Sequence, residues 1–95
     1  MVKFIPLKMF LVMKIEFTKQ AKNDASRLEK SAFKRIKIKL QWYLSHEDPI
    51  IFADNLTDSR LGKYRYRIGD YRVIFDFDGE MITVSKIGHR KEIYR

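Results

Sequence analysis

The side chains with usable chemistry gather toward the end of the chain: Arg65, Arg67 and Arg72, followed by His89, Arg90 and Tyr94. A guanidinium presents a planar fork that makes two parallel charge-assisted hydrogen bonds to a phosphate, and it stays protonated at any physiological pH. An imidazole moves a proton near neutrality, and a phenol ring offers a stacking platform for an unpaired base. Together these types point to a polyanionic ligand with a backbone of phosphates. The sequence contains no cysteine, which excludes a thiol nucleophile, Cys-ligated zinc, iron–sulfur clusters and a disulfide framework. No metal and no cofactor are expected.

Whether the arginines act together depends on the elements that carry them. From Tyr64 onward apolar and polar residues alternate with period two, giving three strands joined at Gly69-Asp70 and Asp78-Gly79, pairs that tolerate positive φ in tight hairpins. A two-residue loop at Gly69-Asp70 sets Ile68 against Tyr71, Arg67 against Arg72, Tyr66 against Val73 and Arg65 against Ile74. A two-residue loop at Asp78-Gly79 sets Phe77 against Glu80, Phe75 against Ile82, Val73 against Val84 and Arg72 against Ser85. The sheet then has an apolar side of Tyr64, Tyr66, Val73, Phe75, Ile82 and Val84, and an opposite side, open and basic, with Arg65, Arg67, Arg72, Thr83 and Ser85. Like charges directly across a strand pair destabilise it by a fraction of a kcal/mol, so the Arg67/Arg72 pairing favours an external anion. A solvated sheet face also alternates in this way. The near absence of an acidic partner favours function, since Asp76 sits at the far end. His89 alone reads as structural, as does His46; delivered beside three sheet arginines, it reads as functional.

The remaining elements follow from the same rules. Lys14 to Thr18 alternates as a strand and ends on Thr18, a good helix N-cap; a short helix from Lys19 and a longer amphipathic one from Ser31 to His46 follow. Asp48-Pro49 ends the second helix and begins a loop through Arg60. The order is βααβββ, an α+β domain in which an antiparallel sheet carries an N-terminal helical hairpin on one face. Residues 13–95 form this domain; residues 1–12 are an N-terminal extension, either an upstream start outside the native domain or an extra strand segment, since Pro6 interrupts the stretch and its longest apolar run, Met9 to Met13, is too short for a membrane span. With 95 residues, 45% apolar and 34% charged, and a net charge of +8, the chain makes one small basic domain. A domain of this size has no room for an enclosed cofactor pocket beside its core, so function sits on the surface. Lys34, Arg35, Lys37 and Lys39 place a cationic face on the second helix; Lys34 and Lys37 are further candidates for phosphate contact.

The segment YRYRIGDYRVIFDFDGEMITVSKIGHRKEIYR, residues 64–95, resembles the C-terminal half of RelE-type toxins of bacterial and archaeal toxin–antitoxin pairs, most specifically in GDYRVIF and GHRKEIYR. The resemblance implies a cytoplasmic, ribosome-dependent endoribonuclease that cuts mRNA in the ribosomal A site. It implies a cognate antitoxin and the 70S ribosome as partners, with contacts to 16S rRNA. Arg72 matches the family's arginine at the scissile phosphate, Arg90 its second catalytic arginine, and Tyr94 the tyrosine that stacks on the substrate base. Arg65 and Arg67 stand where many members carry lysines. Arginine, protonated at any physiological pH, does not serve as a base, so both read as phosphate clamps, and acid/base work falls provisionally to His89, with Tyr94 and Glu92 the other candidates nearby. Two other readings share the fold: a ParE-like inhibitor that binds DNA gyrase without nuclease chemistry, and an inert member that retains antitoxin binding alone.

Overall fold

A computed structural model describes residues 14–58 and 60–94 of the chain; the expected extension, residues 1–12, lies outside them. The first strand, β1 (Lys14–Phe17), runs into Thr18, whose hydroxyl accepts from the Ala21 N–H at 3.1 Å and so caps helix α1 (Lys19–Ser26). Helix α2 (Lys30–Leu44) turns Ala32, Ile36, Leu40, Tyr43 and Leu44 inward, the helical stripe expected from their spacing. Asp48 caps a 3-10 turn (Pro49–Phe52), its carboxylate accepting from Ile50 N–H at 3.1 Å. Strands β2 (Asp54–Asn55), β3 (Tyr64–Ile68), β4 (Tyr71–Phe77) and β5 (Met81–His89) complete a five-stranded sheet in the order β1-β5-β4-β3-β2.

Both helices lie on one face of this sheet, as expected. Their apolar stripes meet Tyr66, Ile68, Val73, Phe75, Ile82, Val84 and Ile87 in one core. Aromatic rings run through it, Tyr43 stacking on Tyr66 at 4.2 Å and Tyr66 on Phe75 at 4.4 Å between centroids. Tyr66 is buried, its hydroxyl donates to the Pro49 carbonyl at 2.6 Å, and desolvation pushes its phenol pKa upward.

The α+β class and the βααβββ order hold, with two differences of topology. The sheet is mixed: β1 runs parallel to β5, with Ile15 opposite Ile82 and Phe17 opposite Val84. Alternation reveals a strand but not its direction, and the long intervening chain allows the crossover that a parallel pair requires. Within the segment expected to be a loop, β2 pairs antiparallel with β3, Asp54 opposite Arg65.

The first hairpin has the expected register, with Arg67 opposite Arg72 and Tyr66 opposite Val73. The second does not. Phe77 pairs with Ile82 and Phe75 with Val84, because the Asp78 carboxylate accepts from the N–H of Glu80 (2.9 Å) and Met81 (2.8 Å) and closes a longer turn. This slip of two residues leaves every side chain on its expected face. A bulge then follows: Ile74 pairs with Lys86 while Phe75 pairs with Val84, so Ser85 is the extra residue. Beyond it the alternation of β5 is reversed, and Arg72 faces Gly88, not Ser85.

Candidate functional site

The arginine face of the sheet is only partly open. Gly62, at φ +147°, lies so close over β4 that a Cβ there would stand 2.7 Å from Ile74 Cγ2, and Ile74 beneath it is fully buried. At the other end the chain after β5 turns back: the N–H groups of Glu92 and Ile93 donate to the His89 carbonyl at 2.8 and 2.9 Å, and Ile93 is buried against Gly88. Between these two covers runs a strip carrying Arg65, Arg67, Arg72, Arg90 and Tyr94.

At the middle of the strip the expected lack of an acidic partner is overturned by Asp54. Its Oδ2 accepts from Arg65 Nε (3.2 Å) and Nη2 (2.9 Å) and from Arg67 Nε (2.8 Å). The Arg65 hydrogen bonds, with the charges of both guanidiniums, hold the Asp54 carboxyl below the usual carboxylate range. The anion that the paired arginines call for is thus partly internal. Sequence reasoning missed Asp54 because ADNL reads as loop; only the two-residue strand opposite Arg65 brings it there. Arg65 also donates through Nη1 to the Tyr94 hydroxyl, and its Cζ lies 6.0 Å from the Tyr94 ring centroid.

At the hairpin end, Arg72 and Arg90 converge on the Gly69-Asp70 turn. Arg72 Nη1 donates to the carbonyls of Gly69 and Tyr71, both at 2.8 Å. Arg90 donates its backbone N–H to the Asp70 carbonyl at 2.7 Å, and its Nε stands 3.5 Å from the Asp70 carboxylate. Arg72 makes no ion pair among the described residues. The direct pairing of Arg67 with Arg72 links the two ends of the strip.

His89 is not on this face. Past the Ser85 bulge it pairs with Tyr71, whose side chain packs toward the helices, and the two rings meet edge to face at 5.6 Å. The expectation that His89 stands beside the sheet arginines fails for that reason: one extra residue exchanges the faces of everything after it. Its Nδ1 accepts from the Lys91 N–H at 3.1 Å, so the neutral ring carries its proton on Nε2. The side chain borders a hollow with Asp24, Arg27, Glu29, Tyr71 and Glu92. Lys34 and Lys37 are exposed on α2, which covers the opposite face of the sheet, so they do not join the strip. Lys37 edges an apolar groove between α2 and β1 lined by Ile15, Phe17, Phe33, Leu40 and Leu44.

Chemically the strip offers one guanidinium on backbone carbonyls, one beside the Asp70 carboxylate, two more bound to Asp54, and an aromatic ring that is 49% exposed. Guanidiniums so placed can bind phosphates, and the exposed ring can stack on a base. Residues 15–94 match a family described as the ParE toxin of type II toxin-antitoxin system, parDE. Comparison with curated protein sequences returns no match. Among solved structures, the chain is similar to one in the toxin–antitoxin complex RelBE2 from Mycobacterium tuberculosis, with TM-score 0.71 and 22% identity over 82% of this chain and 98% of that one. It is similar to a chain of the RelB–RelE antitoxin–toxin complex from Methanococcus jannaschii, with TM-score 0.64 and 25% identity over 82% and 93%. A third likeness is to the archaeal RelE–RelB complex from Pyrococcus horikoshii, with TM-score 0.60 and 26% identity over 85% and 98%.

Proposed function

The chain belongs to the ParE toxin family of type II toxin–antitoxin systems, within the RelE/ParE superfamily, and on that premise we propose that it is a ribosome-dependent endoribonuclease cleaving mRNA in the A site. The observation that carries the reading is the convergence of Arg72 and Arg90 on the Gly69-Asp70 turn, on a strip whose middle holds the exposed Tyr94 against Arg65. In the reaction a 2′-hydroxyl attacks the adjacent phosphorus, the bond to the 5′-oxygen breaks, and the products are a cyclic phosphate and a free 5′-hydroxyl. Arg72, held among the described residues by backbone carbonyls, exchanges them for phosphate oxygens and stabilises the developing charge; Arg90 supplies a second cation from the same end. Tyr94 stacks on the substrate base.

His89 faces the other side of the sheet, beside Tyr71, so the reading rests on charge stabilisation and orientation, not on a histidine beside the phosphate. Such a set is chemically modest, and the ribosome supplies orientation worth several kcal/mol. The protein's partners on this reading are a cognate antitoxin, which inhibits it, and the ribosome carrying mRNA. The family description favours a second reading, a ParE-like toxin that inhibits DNA gyrase by binding. Primer extension on mRNA after induction separates the two: codon-positioned cuts are expected, and their absence alongside arrested growth overturns the nuclease reading.

A further inference from the structure

Arg65 and Arg67 share a strand face and an acidic partner, yet their surroundings differ. The Arg65 side chain is 18% exposed, that of Arg67 62%. Three of the nitrogens' donor directions on Arg65 are already taken: Nε and Nη2 point to Asp54 Oδ2 at 3.2 and 2.9 Å, and Nη1 to the Tyr94 hydroxyl. Two of its five N–H donors remain, on a side chain largely closed to solvent, against the more open fork of Arg67. Tyr94 shows the complementary pattern. Its backbone is anchored next door, where Ile93 is 1% exposed and donates its N–H to the His89 carbonyl at 2.9 Å, while its own ring is exposed. Among the described residues, the hydrogen bond found on the Tyr94 hydroxyl is the one from Arg65.

We propose that Arg65, braced by Asp54, is a positioning residue for Tyr94: the carboxylate on β2 fixes the guanidinium on β3, and the guanidinium fixes the aromatic ring of the C-terminal turn. This replaces the phosphate-clamp role that the sequence suggests for Arg65 and leaves that role to Arg67. The inference rests on the proposed reading in one respect, that Tyr94 stacks on the substrate base. A ring already held in place loses no orientational freedom when the base arrives, which is how a residue remote from the phosphorus affects the rate. The planar fork is required. A lysine ammonium in its place meets Asp54 or Tyr94 but does not span both.

A double-mutant cycle on ribosome-bound mRNA tests the coupling. Arg65→Lys and Tyr94→Phe are each expected to lower single-turnover cleavage by about tenfold or more, and the double variant to fall no further than about twofold beyond the worse single. Losses that multiply overturn the proposal. Binding of single-stranded RNA as a function of salt supplies an independent arm. Arg67→Gln is expected to reduce the slope of log K against log[salt] by roughly 0.7, the loss of one phosphate contact, and Arg65→Gln to leave it unchanged. An equal reduction in Arg65→Gln overturns the proposal, since it places Arg65 on a phosphate. Asp54→Asn, nearly isosteric, is expected to speed amide hydrogen exchange at Glu92 and Ile93; unchanged exchange shows that no tether exists. If the wild-type protein makes no cuts on ribosomes, the nuclease reading falls and the stacking role with it, and the exchange measurement alone decides the tether.

Discussion

Arg72 is the cation of the strip whose hydrogen bonds go to backbone carbonyls, so releasing it toward a phosphate breaks no ion pair among the described residues. Arg72→Ala is expected to reduce mRNA cleavage by about 10² to 10³, the usual effect of deleting one transition-state donor, and to relieve growth arrest on overexpression. Thermal stability is expected to fall by no more than about 1 kcal/mol, because the side chain's hydrogen bonds go to two carbonyls at the surface turn and Arg72 is not among the buried core residues. A melting curve beside the growth assay separates lost chemistry from lost fold. Asp54 is the opposite case, a carboxylate whose pKa is lowered, first by its Arg65 hydrogen bonds. A depressed folded-state pKa contributes stability that is present above the unfolded value, about 3.9, and is lost as pH falls through the folded value. Asp58 and Asp78 are lowered too, by Arg60 and by backbone N–H groups, and add to the same acid-side loss. Acid titrations followed by circular dichroism are therefore expected to show stability declining below about pH 4, with a shallower decline in Asp54→Asn.

At the scale of elements, the first hairpin was legible because its turn chemistry and its alternation agree: Gly69-Asp70 closes a two-residue loop, and the Arg67/Arg72 pair follows by counting. The second hairpin misled by the same counting. Asp78 is a turn residue with a carboxylate able to bond two successive N–H groups, and it closes a wider loop than Asp78-Gly79 alone suggests. The Ser85 bulge marks the apolar pattern only by one break in step, from Ile82 and Val84, two apart, to Ile87, three further on. In three dimensions it is plain, with the Ser85 hydroxyl 2.8 Å from the Leu61 carbonyl and 3.2 Å from that of Ile74. Arg72, Arg90 and Tyr94 could be placed from motif and register; Asp54 and the true face of His89 could not, because each depends on an irregular segment. The Leu61-Gly62 crossing gives a direct test. Gly62→Ala adds a methyl group 2.7 Å from Ile74 Cγ2 at φ +147°, where a side chain is strained whatever the space. A loss of about 1–3 kcal/mol in denaturant unfolding is expected, whereas Gly79→Ala, with nothing within 4 Å, is expected to show only backbone strain and a smaller loss.

The whole molecule carries its +8 on two sides. The arginine strip lies on one face of the sheet, and α2, with Lys30, Lys34, Arg35, Lys37 and Lys39 and no acid between Lys30 and Leu44, covers the other. These helix cations are exposed and lack a carboxylate within ion-pair distance among the described residues. Arg35 and Lys39 line a hollow with Arg67 and Gly69, Arg35 Nη1 standing 3.2 Å from where a Cβ on Gly69 would lie, whereas Lys34 and Lys37 take no part in it. On the proposed reading those two lysines contribute to a different step from the strip. On that reading the strip acts on the bound RNA, and the α2 face acts earlier, drawing the protein toward a polyanionic surface and speeding encounter in a salt-dependent way. Reversing Lys34 and Lys37 to Glu is therefore expected to slow association with mRNA-loaded ribosomes, with the difference from wild type shrinking as ionic strength rises from about 0.05 to 0.2 M and the Debye length shortens. Cleavage positions by primer extension are expected to be identical, since the residues that meet the phosphate and the base are untouched. A changed cleavage position would move α2 into the RNA site itself, and a salt-independent loss would show that the lysines act through packing and not through charge.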